Sequence, residues 1–111
     1  MIHLLTSRVT PQQLNEMLEE LEDYVKLAVD TEQETVAGGG ELHADCEAVL
    51  MENGSRQENV WGADWIPATR EVRFESFINI RPRQNNTAME IQDKEIRSRV
   101  EKIVREFFEE A

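Results

Sequence analysis

A chain of 111 residues, 40% hydrophobic and 32% charged with its apolar residues spread along the whole length, has room for one modest core; a single domain over residues 1–111 is expected and a disordered chain is excluded. Twelve Lys and Arg stand against 23 Asp and Glu, and the net charge of −11 repels phosphate backbones and anionic membrane surfaces, so neither nucleic acid nor a membrane is expected as a partner. The single cysteine, Cys46, closes no internal disulfide, and MIHLLTSRVT has neither the basic start nor the apolar run of an export signal, which points to the cytoplasm.

IHLL at the start is a candidate edge strand. The first helix lies in VTPQQLNEMLEELED, where Thr10 caps, Pro11 suits the first turn, Gln13 completes a capping box, and Val9 with Leu14 forms a hydrophobic staple. Leu14, Met17, Leu18 and Leu21 share one face while the acids fall elsewhere. YVKLAVD alternates, with Val25, Leu27 and Val29 on one side, and reads as a strand; continuation of the helix through 24–30 is the alternative. From Val36 the period is two. In ELHADCEAVL the apolar Leu42, Ala44, Cys46, Ala48 and Leu50 alternate with Glu41, His43, Asp45 and Glu47, the pattern of a strand with one buried face.

Asn53-Gly54 then supplies a hairpin turn. NVWGADWI places Trp61, Ala63 and Trp65 inward, PATR turns the chain, and EVRFESFINI follows with Val72, Phe74, Ile78 and Ile80 inward. RPRQNNTAMEIQ reads as a loop, and Asp93 caps a second helix striped by Ile96, Val100, Ile103, Val104 and Phe107. The expected fold is α+β: a mainly antiparallel four- to five-stranded sheet, four of its strands in a meander, with two amphipathic helices packed on one face and the other face polar and partly open.

Such a register brings Asp45, Asp64 and Arg73 into one cross-strand row and Glu47, Gly62 and Glu75 into the next. Opposed carboxylates need a cation, a shared proton or solvent, so His43, Asp45, Glu47, Asp64 and Glu75 are candidates to hold a divalent metal or to share acid and base roles in a hydrolytic step. The plainer alternative is a solvated sheet face, since no paired CxxC or HExxH spacing is present. Cys46 belongs to the apolar alternation and reads as core. Arg73, and Arg81 with Arg83 around Pro82, are candidates to bind a small anion in bidentate fashion, the competing role for the latter two being to pair with surplus acids of the chain. Gly38 to Gly40 has no phosphate-loop context and suits a bulge or a crowded backbone crossing.

VAGGGELHADCE at 36–47, WGADWIP at 61–67, VRFESFINIRPRQNN at 72–86 and MEIQD at 89–93 resemble an uncharacterised bacterial family of short proteins grouped as a domain of unknown function. The resemblance covers nearly the whole chain and implies a small stand-alone protein, with no activity, cofactor or catalytic residue to carry over. The leading expectation for function is therefore a cytoplasmic interaction or small-ligand-binding protein. A homodimer is expected from Ala28, Val60, Ile66 and Phe77 lying among the charges of the second sheet face, and a basic protein is a further candidate partner. The alternative is a small metal-dependent hydrolase built on the carboxylates and His43.

Overall fold

Strands β2 (Val25–Asp30) and β4 (Val60–Ile66) run antiparallel at the centre of the molecule, in register from Val25 opposite Trp65 to Asp30 opposite Val60. The computed structural model describes residues 1–110. In chain order the elements are β1 (His3–Leu5), α1 (Pro11–Met17), β2, β3 (Thr35–Gly38), α2 (His43–Glu52), β4, β5 (Glu71–Arg73) and α3 (Lys94–Phe108), with 3-10 turns at Gln57–Asn59, Phe77–Asn79 and Pro82–Gln84. The five strands form one antiparallel sheet in the order β1-β3-β2-β4-β5.

The first face of the sheet is the main core. Val25, Leu27 and Val29 of β2, and Trp61, Ala63 and Trp65 of β4, point to it, as strand periodicity requires. Helices α1 and α3 cover them with Leu14, Met17, Val100, Ile103, Val104, Phe107 and Phe108, the last with its ring centroid 6.1 Å from that of Trp65. The α1 start behaves as the residues dictate: Thr10 Oγ1 accepts from Gln13 N while Thr10 N donates to Gln13 Oε1. Asp93 caps α3 by accepting from Glu95 and Ile96 N–H groups. Among the described residues no helix is long and apolar enough to cross a membrane.

The second face departs from expectation. Most of ELHADCEAVL, from His43 on, is a helix, α2, and not a strand; it crosses this face and buries Cys46 and Leu50, one turn apart, against Ala28, Ala37 and Val60. Alternation misled because Ala44 and Ala48 supplied apolar positions that in fact face solvent. Ala, Leu and Glu are strong helix formers, and Val49 is the only β-branched residue in the segment. The Asn53-Gly54 pair stops α2 in place of turning a hairpin: Gly54, at φ +97°, and Ser55 donate their N–H groups to Met51 O and Leu50 O. With α2 as a crossover, β4 pairs with β2, so the meander is replaced by two hairpins flanking the β2–β4 pair, and three helices stand where two were expected.

The triple glycine passes through a crowded crossing. A Cβ on Gly38 would lie 2.5 Å from Leu27 Cδ2, and one on Gly39, which has φ +104°, would collide with the Met1 carbonyl and lie 2.9 Å from Met17 Cα. Gly54 has a similar positive φ but nothing within 4 Å of the added carbon. Gly54→Ala is thus expected to cost about 1–2 kcal/mol from backbone strain alone. Gly39→Ala carries steric overlap as well and should exceed about 3 kcal/mol or prevent folding. Urea unfolding of the two variants beside the parent measures the difference.

Candidate functional site

The sheet's second face carries the polar chemistry. Helix α2 begins at His43 directly above β4, and its imidazole Nε2 lies 2.8 Å from Asp64 Oδ1 and 3.1 Å from the Ala63 carbonyl. A carbonyl only accepts, so Nε2 carries the hydrogen and the other ring nitrogen is left as an acceptor. Nδ1 makes no hydrogen bond to protein and is not sealed from solvent among the described residues. The pair is largely covered, with side chains 11% and 10% exposed. Asp64 Oδ2 also meets Arg73 Nε at 3.7 Å, and Arg73 in turn lies over the Tyr24 ring at 5.0 Å.

One turn along α2 from His43, Glu47 faces the same side and approaches Arg81 at 3.5 Å. Arg81 is a clamp inside the fold. Its Nε donates to Ile78 O at 2.9 Å, its terminal nitrogens to Gln57 O at 2.6 Å and to Val60 O, and the guanidinium lies 4.6 Å from the Trp61 ring centroid. Burial weakens the group's hold on its proton, and Glu47 pulls the other way. The donors that a bidentate anion would need are already engaged, whereas Arg83 is exposed and makes no ion pair among the described residues.

The expected rows are therefore only partly assembled. Asp64 does oppose Arg73 across β4 and β5, and the α2 start brings His43 to Asp64. Asp45 instead points to solvent from the first turn of α2, and Glu75 is exposed and bridges Glu90. The space above Gly62 is filled: a Cβ there would meet Ser76 Cβ at 2.5 Å, and the Asn79 side chain accepts from Gly62 N and donates to Gly62 O. Among the described residues no three His, Cys, Asp or Glu side chains gather as a metal would require.

What forms instead is a pocket of about 210 Å³ between the start of α2 and the 76–78 turn, lined by Lys26, Leu42, His43, Ala44, Ser76, Phe77 and Ile78. Its walls are mainly apolar. Phe77 at its edge is 78% exposed and Leu42 54%. The residues that sequence reasoning missed here are Lys26 and Ser76. Lys26 was visible as the one cation on the polar side of YVKLAVD, and only the placement of α2 shows that it lines this open pocket.

The chain belongs to a family described as Protein of unknown function (DUF5674), which it matches over residues 3–107. No curated protein and no solved structure matches it.

Arg81→Ala, by stranding Glu47 and several carbonyls, is expected to cost about 3 kcal/mol or more, and Arg83→Ala less than about 0.5 kcal/mol, as read from denaturant midpoints. A second outcome concerns Cys46. Burial pushes its thiol up from 9.0 to about 11, against the Gly40 N–H, which lowers it. The unfolded chain ionises first, so the stability contributed by the neutral buried thiol is complete below 9.0 and is lost as pH climbs toward about 11. A Cys46→Ala variant should show a shallower alkaline loss of stability over that interval, measured by urea unfolding at stepped pH.

Proposed function

Since membership of that family assigns no chemistry, we propose that the protein is a small-ligand-binding protein whose site is the pocket between α2 and the 76–78 turn. The observation that carries this reading is the pocket itself: Leu42, Ala44, Phe77 and Ile78 supply apolar walls, and Lys26 and His43 supply a few polar groups at one place. Binding sites are built in this way, with most of the contact apolar and orientation set by a small number of polar atoms. At about 210 Å³ the space is smaller than the roughly 300–1,000 Å³ of drug-sized sites, which limits the occupant to a small molecule or a single inserted group.

The exposed rim favours a second reading. A phenylalanine left 78% exposed, with Leu42 and Ile80 at 54% and 42%, is the kind of anchor that protein interfaces bury. A homodimer or a basic protein partner covering Phe77 would account for it, the second suiting the net charge of −11. The hydrolase reading rests on the His43–Asp64 pair alone, and Asp45 and Glu75 stand too far out in solvent to assist it. A reducing cytoplasm suits a buried, unpaired Cys46.

Titration with 3-phenylpropan-1-ol, followed through backbone amide resonances, is expected to move Leu42, His43, Ala44, Phe77 and Ile78. Phe77→Ala should weaken that binding about fivefold or more while changing stability by less than about 0.5 kcal/mol. Shifts confined to other residues, or none, would end the pocket reading. Size-exclusion mass of the parent and of Phe77→Ala checks the interface reading: a monomer in both removes the homodimer.

A further inference from the structure

The charge census of the molecule singles out Lys26. With 23 acids against 12 Lys and Arg, cations find partners easily, and Arg8, Arg56, Arg73, Arg81, Arg97 and Arg105 each reach a carboxylate. The remaining cations are exposed to solvent, except Lys26. It alone among the described residues is a partly buried cation with neither an ion pair nor a hydrogen bond from its ammonium. The residue opposite it across the sheet is an acid, Asp64 on β4. Asp64 is already engaged, by His43 at 2.8 Å and by Arg73 at 3.7 Å.

The Lys26 ammonium keeps contact with water and has no counter-ion of its own among the described residues, so it is free to pair with a charged group brought into the pocket beside it. The pocket it lines has Leu42, Ala44, Phe77 and Ile78 for walls. One charged end and one apolar body are the two halves of a small organic acid. We propose that the pocket's ligand is a monocarboxylate with a short aromatic or aliphatic body, its carboxylate paired with Lys26 and its body lying between the α2 start and Phe77. This inference rests on the pocket being a binding site. The overall charge of −11 does not forbid an anion here, because surface charges beyond about 8 Å are largely screened at physiological salt while a paired ammonium acts at contact distance.

The test compares 3-phenylpropanoate with its neutral counterpart 3-phenylpropan-1-ol, each titrated by calorimetry and by amide resonances against the parent, Lys26→Met and Lys26→Arg. The parent is expected to bind the acid about tenfold or more tightly than the alcohol, the usual size of one charge-assisted contact. Lys26→Met should abolish that preference, acid and alcohol then binding alike, and Lys26→Arg should restore it. Because Lys26 makes no side-chain bond, Lys26→Met is expected to fold, which an unchanged far-ultraviolet spectrum and midpoint would verify. Equal binding of acid and alcohol by the parent, or a preference that survives Lys26→Met, overturns the carboxylate inference and leaves the pocket reading standing. No binding of either probe at the pocket overturns both.

Discussion

The side-chain amide of Asn79 holds the second face of this molecule in place. Strand β5 pairs only with Asp64, Trp65 and Ile66, which leaves the earlier half of that edge of β4 without a neighbouring strand. Asn79 fills the gap. Its oxygen accepts from Gly62 N at 2.8 Å, and its nitrogen donates to Gly62 O at 3.1 Å, to Phe74 O at 3.1 Å and to Met89 O at 3.0 Å, so one carboxamide does the bonding of a short strand. Asn86 repeats the device one loop further on, donating to Asn79 O, Ala88 O and Glu90 O and accepting from Gln92 N. Because these amides are buried and every bond is made, the irregular segment 74–92 has a fixed shape without being a sheet or a helix.

That fixed shape is what gives the pocket two walls. The 76–78 turn sits where it does because Ser76 stacks on Gly62 and Asn79 grips the β4 edge; α2 sits opposite because Cys46 and Leu50 pack on Ala28, Ala37 and Val60. Small residues are required on this side of the sheet so that a helix and an ordered loop can both lie close to the strands. Polar residues buried nearby are satisfied individually. Asp30 accepts from Glu32 N and Gln33 N in the β2–β3 turn and from Ser55 Oγ at 2.6 Å, tying the end of α2 back to the sheet. Such groups specify where chain segments go more than they add stability.

The first face of the sheet was legible in the residues because its signals are local and redundant. The Thr10-to-Gln13 capping box, the Asp93 cap, the stripe from Ile96 to Phe107 and the Trp61, Ala63, Trp65 alternation each point the same way, and the structure follows them. Segment 41–50 was not legible by period, since its alanines satisfied a strand pattern as well as a helix, and Asn53-Gly54 serves a hairpin and a helix stop equally. The consequences were large. One wrong element moved Asp45 off the sheet and replaced an open acidic face with a covered one, while the Asp64–Arg73 pairing survived because it depended only on the β4–β5 turn. Asn79 fell within EVRFESFINI, read as a strand that in fact stops at Arg73, and Asn86 within a loop; an amide that bonds distant backbone gives no sequence signal of its own.

The lengths of the strands have a bearing on how the protein behaves in concentrated solution. The sheet ends on each side in a strand of three residues, His3–Leu5 and Glu71–Arg73, the latter flanked by charge. The long apolar strands that would template fibrous stacking, VKLAVD and VWGADWI, lie inside, hydrogen-bonded to neighbours and covered above and below. Polymerisation through the sheet would first have to strip a rim away, so this one route to clumping is governed by how often the molecule opens.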